Sequence, residues 1–110
     1  MKVAIIGSRS LSVNNLEKYI PDGITEIVTG SAKGIDSCAK EYAQSQGIKL
    51  TVFLPDYKSY GKAAPLKRNL QIIEYADRVI AFLDGISSGT DHVIRNCNDR
   101  NKEIVVHIVK

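Results

Sequence analysis

Residues 24–43 read ITEIVTGSAKGIDSCAKEYA. The stretch opens with a short apolar run, Ile24–Thr29, rich in β-branched residues, and then meets a glycine-rich turn, Gly30-Ser31-Ala32-Lys33-Gly34. Beyond the turn, Ile35, Cys38, Ala39, Tyr42 and Ala43 recur at i, i+3, i+4, i+7 and i+8. A nearly continuous apolar run suits a strand covered on both faces, and the stripe that follows is one face of a helix. Gly47 follows the helix where a left-handed residue is usual. The segment is therefore a strand–loop–helix unit of a parallel sheet.

The same alternation extends in both directions. Further apolar runs are Val3–Ile6, Leu50–Leu54, Arg78–Leu83 and Ile104–Val109. Between them, Val13, Leu16 and Ile20 predict a first helix, with Ser12 as its cap and Pro21-Asp22-Gly23 as its stop. Leu66, Leu70, Ile73 and Ala76 predict a third helix, entered through Pro65. Val93, Ile94 and Cys97 make a weaker fourth stripe. Strict alternation of five strands with four helices implies an α/β fold: a three-layer, Rossmann-like, doubly wound parallel sheet with right-handed crossovers. The expected strand order is 3-2-1-4-5, with the flavodoxin-like 2-1-3-4-5 as the rival. The 110 residues suit one domain spanning 1–110.

Composition narrows the function classes. The chain is 44% hydrophobic and 25% charged, which excludes a disordered protein. No apolar run approaches the roughly 18 residues of a membrane span, and MKVAIIGSRS is too short in apolar residues for a signal peptide. A cytoplasmic location away from membranes is expected. The net charge of +3 is too small to imply nucleic-acid binding by itself. Cys38 and Cys97 form no CxxC pair, and with two histidines they assemble no zinc pattern. Both are expected as small buried thiols, and no metal site is expected.

Ligands of open parallel sheets bind beyond the carboxyl ends of the strands. The segments there are Gly7-Ser8-Arg9-Ser10, Gly30–Asp36, Pro55–Lys62 running into Lys67-Arg68-Asn69, and Asp84–Asp91. Six of the eight glycines and six of the fifteen basic residues fall in them, whereas the opposite rim reads as ordinary turns. Glycine admits a ligand to the backbone, and helix N-termini present N–H groups with a positive dipole end. Together they describe an anion site, most naturally for phosphate. The sharpest loop is the second, where Gly34 is expected to allow tight helix–strand contact and Lys33 adds charge. A Rossmann G-x-G-x-x-G is missing after the first strand, and Ile35 stands where a P-loop has its lysine. A dinucleotide dehydrogenase or Walker-type NTPase is therefore not indicated.

These motifs carry a resemblance. Gly7-Ser8-Arg9, the GSAKGID of Gly30–Asp36 and Ser88-Gly89-Thr90 resemble the SLOG superfamily, which includes Smf/DprA and the LOG-type phosphoribohydrolases. Tyr60-Gly61-Lys62-Ala63-Ala64 followed by Lys67-Arg68-Asn69 is similar to small stand-alone members related to YspA and YpsA. The resemblance implies a rim that binds a nucleotide or nucleotide derivative, as a sensor or a sequestering module. Gly7, Ser8 and Arg9 would line one wall, and Gly30, Ser31, Lys33, Gly34 and Asp36 the second. Ser87, Ser88, Gly89 and Thr90 would hold phosphate, with Arg68 and Asn69 closing the pocket.

One departure bears on catalysis. LOG-type enzymes follow their Gly-Thr pair with a catalytic glutamate; here Thr90 is followed by Asp91, His92 and Val93. Hydrolysis of an N-glycosidic or phosphate linkage remains an alternative, with Asp36, Asp84 and Asp91 as candidate acids. Their plainer reading is as acids at helix N-termini. His92 reads as a surface residue of a first helical turn and His107 as a structural residue of the last strand. Tyr57 and Tyr60 are candidates to stack on a base, or to anchor the long loop. Single-stranded DNA binding, by analogy with Smf/DprA, is a third alternative, poorly supported by two rim aromatics and no tryptophan. No cofactor is required, although Mg²⁺ could accompany a phosphate ligand. Exposed edge strands lead us to expect a homodimer or tetramer.

Overall fold

The computed structural model describes residues 1–8, 10–31, 33–83 and 88–108, with the backbone alone for 88–91. Strands β1 (Lys2–Gly7), β2 (Glu26–Thr29), β3 (Lys49–Val52), β4 (Arg78–Leu83) and β5 (Glu103–Ile108) form one sheet. Its order is β3-β2-β1-β4-β5, and each neighbouring pair is parallel. The expected order 3-2-1-4-5 is the observed one, so the switch in chain direction lies between β1 and β4.

Helix α1 (Ile35–Gln46) covers one face, and α3 (Ala64–Tyr75) and α4 (Ser88–Asp99) cover the other. Alternation along β1 makes the division. Val3 and Ile5 pack with Ile27, Ile80, Phe82 and the inner face of α1 at Ile35, Ala39 and Ala43. Ala4 packs with Val28, Val79, Ile72 and Ile73 of α3, and Val93 and Cys97 of α4. Burying each such side chain contributes roughly 1.5–3 kcal/mol, so both faces of the central strands hold the layers together. Gly47, in a left-handed conformation, closes α1 by donating to the Ala43 and Gln44 carbonyls. Pro65 lies in the first turn of α3, as expected.

The expected first helix does not form. Only Leu16–Lys18 makes a turn of 3₁₀ helix. Asn14 and Asn15 are poor helix formers, and Pro21 bars continuation, so too few residues remain for more than one turn. Ser12 caps nothing there; its hydroxyl lies 3.5 Å from Cys38 Sγ. The segment still covers the sheet, since Leu16 is buried and Tyr19 packs edge-on against Phe82 and His107. A short helix that the sequence did not announce, α2 (Tyr57–Tyr60), occupies the long loop, capped by Asp56 Oδ1 accepting from the Ser59 N–H at 3.1 Å.

Strand limits shift by one or two residues. β2 starts at Glu26, not Ile24, though the Thr25 N–H still reaches the Met1 carbonyl at 2.9 Å. β3 spans Lys49–Val52, though the Phe53 N–H still reaches the Thr29 carbonyl at 3.0 Å. Cys97 is buried as expected, and burial pushes its thiol pKa up, whereas Cys38 is half-exposed. Among the described residues, no helix is long and apolar enough to cross a membrane.

Candidate functional site

The carboxyl ends of β1, β2 and β4 lie side by side, so residues far apart in sequence meet on one rim. Ser8 is the junction. Its N–H donates to the Phe82 carbonyl at the end of β4 at 3.0 Å, and its carbonyl accepts from the Ile35 N–H at the start of α1 at 3.5 Å. This draws the head of α1 against β1. A Cβ on Gly7 would lie 2.4 Å from the Phe82 carbonyl oxygen and 2.6 Å from Ile35 Cγ1. The space beside Gly7 is thus filled by protein, a tight helix–strand contact at this glycine. Gly34, at φ 75°, turns the chain into α1 as its N-cap, without a side-chain cap.

Gly30 is enclosed by charged groups. A Cβ there would meet Arg68 Nη1 at 2.6 Å and Asp36 Oδ2 at 2.8 Å. The guanidinium from α3 and the carboxylate from the first turn of α1 therefore converge on one point above the end of β2. Asp36 is 4% exposed, and Arg68 is half-buried. The Arg68 Nε–H donates to Asn69 Oδ1 at 3.0 Å, which orients the guanidinium. Ser31 and Lys33, on the loop between β2 and α1, are exposed beside this cluster.

Gly30, Ser31, Lys33, Gly34 and Asp36 share the rim after β2, and Arg68, with Asn69 bonded to it, reaches the same place from α3. Gly7 and Ser8 lie on the same rim at the end of β1. Arg9, Asp84 and Ser87 fall outside the described residues. The backbone of Ser88, Gly89, Thr90 and Asp91 opens α4, after β4 and on that rim; their side chains lie outside the description. His92, next in α4, is half-buried, with Nδ1 shielded from solvent and without a partner among the described residues. Tyr57 and Tyr60 are 61% and 45% exposed on α2. His107 is stacked on Phe82 at 5.3 Å and touches Tyr19 at 4.7 Å, a structural part as expected.

Sequence reasoning missed a second hollow. A groove of about 610 Å³ runs between residues 12–17 and one flank of α1, lined by Ser12, Val13, Leu16, Cys38, Glu41 and Tyr42 among others. It lies on a helical layer, away from the strand ends. It exists because the chain before β2 stays irregular. Among the described residues, no group of three His, Cys, Asp or Glu side chains could hold a metal ion.

The rim thus offers a guanidinium, a flanking ammonium, small hydroxyl residues and backbone at a glycine, with a carboxylate buried beside them. Such a set can receive an oxyanion and accept a hydrogen bond from a neighbouring hydroxyl. The family model YAcAr, described as the YspA, cpYpsA-related SLOG family, matches residues 1–60, more than half of the chain. The match takes in β1, β2, α1 and β3, with the first two of the four rim segments, and ends at Tyr60 on α2. No curated protein and no solved structure shows a significant match. The chain belongs to the YspA, cpYpsA-related SLOG family.

Proposed function

We propose that this rim binds a nucleotide or a nucleotide-derived phosphate ligand, and that the protein acts as a sensor or sequestering module. The observation that carries the reading is the convergence of Arg68 and Asp36 on Gly30. A cation beside the glycine loop recruits phosphate, and a buried carboxylate beside it accepts hydrogen bonds from the ribose hydroxyls. Lys33 and Ser31 extend the phosphate contacts, and the start of α4 adds its free N–H groups and dipole. Mg²⁺ could enter with the phosphate, held by the ligand. Family membership supports a nucleotide-related role of this general kind.

Binding is favoured over turnover by the residues after Gly89-Thr90. No glutamate stands at Asp91, His92 or Val93, where a LOG-type enzyme carries its catalytic one.

The test is a thermal-shift titration of the wild type and Arg68→Ala with nucleoside mono- and polyphosphates, ADP-ribose, NAD, cyclic nucleotides and a short DNA oligomer. A ligand at about 100 times its Kd adds roughly 2.7 kcal/mol, enough to raise the midpoint by several degrees. The expected result is a clear rise with a nucleotide that Arg68→Ala abolishes. No rise with any nucleotide, or an equal rise in the variant, would contradict the assignment.

A further inference from the structure

The chain between β3 and α3 has a composition and a position that the rim alone does not explain. It springs from Phe53, whose N–H bonds the Thr29 carbonyl, so it leaves the sheet one residue from Gly30 in the neighbouring strand. It passes through α2 and a 3₁₀ turn at Gly61–Ala63 and enters α3, which sends Arg68 back to Gly30 one turn later. The flap therefore begins and ends at the candidate phosphate position.

Its charge is one-sided. Lys58, Lys62 and Lys67 are exposed, and none of them enters an ion pair among the described residues. The acid of the flap, Asp56, is engaged in capping α2. Tyr57 and Tyr60 stand out among these lysines, with Lys67 Nζ 5.8 Å from the centre of the Tyr60 ring. Exposed aromatic faces interleaved with unpaired cations fit a partner that is both planar and polyanionic. Self-association through this patch would oppose lysine to lysine.

We propose that the flap is the specificity element of the rim: it receives the outer phosphates of a ligand whose first phosphate lies at Arg68. The preferred ligand class is then a nucleotide with a chain of two or more phosphates, not a nucleoside monophosphate. The inference rests on the reading of the rim as a nucleotide site. Lys58, Lys62 and Lys67 engage the outer phosphates by charge-assisted hydrogen bonds, and Tyr57 or Tyr60 covers a base.

The experiment is isothermal titration of the full chain with the mono-, di- and triphosphates of the common nucleosides. It compares the wild type, Lys58→Ala/Lys62→Ala and Tyr57→Ala/Tyr60→Ala. These side chains are exposed, so the variants retain the wild-type unfolding midpoint, which is checked alongside. The expected result is an affinity that rises with phosphate number in the wild type. In the lysine variant the monophosphate is unchanged and the triphosphate weakens by about tenfold or more. The tyrosine variant weakens every member of the series alike. Equal affinity for mono- and triphosphate, or a preference that survives in the lysine variant, would overturn the proposal. So would a single-stranded oligomer that binds more tightly than any nucleotide with a steep salt dependence. Failure of every nucleotide to bind would remove the rim reading itself, and the flap proposal with it.

Discussion

At the amino ends of the strands, charge is balanced within the chain; at the carboxyl ends, it faces outward. Across the sheet from β3 to β5 the first residues are Lys49, Glu26, Lys2, Arg78 and Glu103. Glu26 accepts from the Thr51 hydroxyl at 2.6 Å and the Tyr75 hydroxyl at 2.5 Å, and pairs with Lys49 at 3.4 Å. Lys2 Nζ lies 4.1 Å over the Tyr75 ring, and the Lys2 N–H donates to Asp77 at 2.8 Å. Arg78 pairs with Glu103 at 3.0 Å, and the Lys102 ammonium donates to the Ala76 carbonyl. At the other rim, Lys33, Lys58, Lys62 and Lys67 are exposed outside any ion pair among the described residues. Groups that satisfy one another stabilise the fold; exposed lysines outside any ion pair can meet the charge of a ligand. The difference separates the rim that closes the structure from the rim proposed to bind a ligand.

The largest effect should come where the carboxyl-end rim is also structural. Gly7→Ala pushes a Cβ to 2.4 Å from the Phe82 carbonyl oxygen, a backbone atom that cannot swing away. We expect a loss of about 3 kcal/mol in urea unfolding. Gly30→Ala meets side-chain ends instead, Arg68 Nη1 and Asp36 Oδ2. Its loss of stability should be smaller, about 1 kcal/mol, while nucleotide affinity falls by at least about tenfold as the guanidinium is displaced. Equal stability losses at Gly7 and Gly30, with binding intact in Gly30→Ala, would erase the distinction between them.

Glu26 sharpens the comparison through pH. Hydrogen bonds from Thr51 and Tyr75, with Lys49 nearby, hold its carboxyl below the usual range. Because the folded value lies below the unfolded one, the stabilisation is complete above the unfolded pKa and disappears as pH falls through the folded pKa. Glu26→Gln should flatten the acid limb of stability against pH, measured by urea unfolding from neutral pH downward, and leave nucleotide affinity unchanged. A change in affinity would mean that the two ends are coupled. The smallest stability effect is expected at Lys33, which is exposed. Lys33→Ala should stay within about 0.5 kcal/mol in unfolding while weakening nucleotide binding several-fold.

Much of this architecture is legible in the sequence because local pattern and tertiary demand agree. The run Arg78–Leu83 is the observed β4, and the stripe from Ile35 to Ala43 is the inner face of α1, half-exposed at Cys38 and Tyr42. The convergence of the second loop with Arg68 was also legible, since a doubly wound sheet brings its strand ends to one rim. What escaped depends on neighbours that sequence spacing does not bring together. The part of Gly7 is decided by Phe82 and Ile35, and the burial of Glu26 by Thr51 and Tyr75. Read as ordinary turns, the amino-terminal rim carries a row of charged residues, one at the head of each strand. The first helix failed for a local reason, the asparagine pair ahead of Leu16 and the proline after Ile20, which the apolar spacing concealed.

The most direct test of the division between the two rims is amide chemical-shift mapping of the labelled full chain during titration with a nucleoside triphosphate. The account predicts saturable shifts at Ser8, Gly30, Ser31, Lys33 and Arg68, extending to Lys58 and Lys62 on the flap, with Glu26, Lys49, Asp77 and Glu103 unmoved. Shifts centred on the amino-terminal rim or in the groove beside Cys38, or none at millimolar ligand, would contradict it.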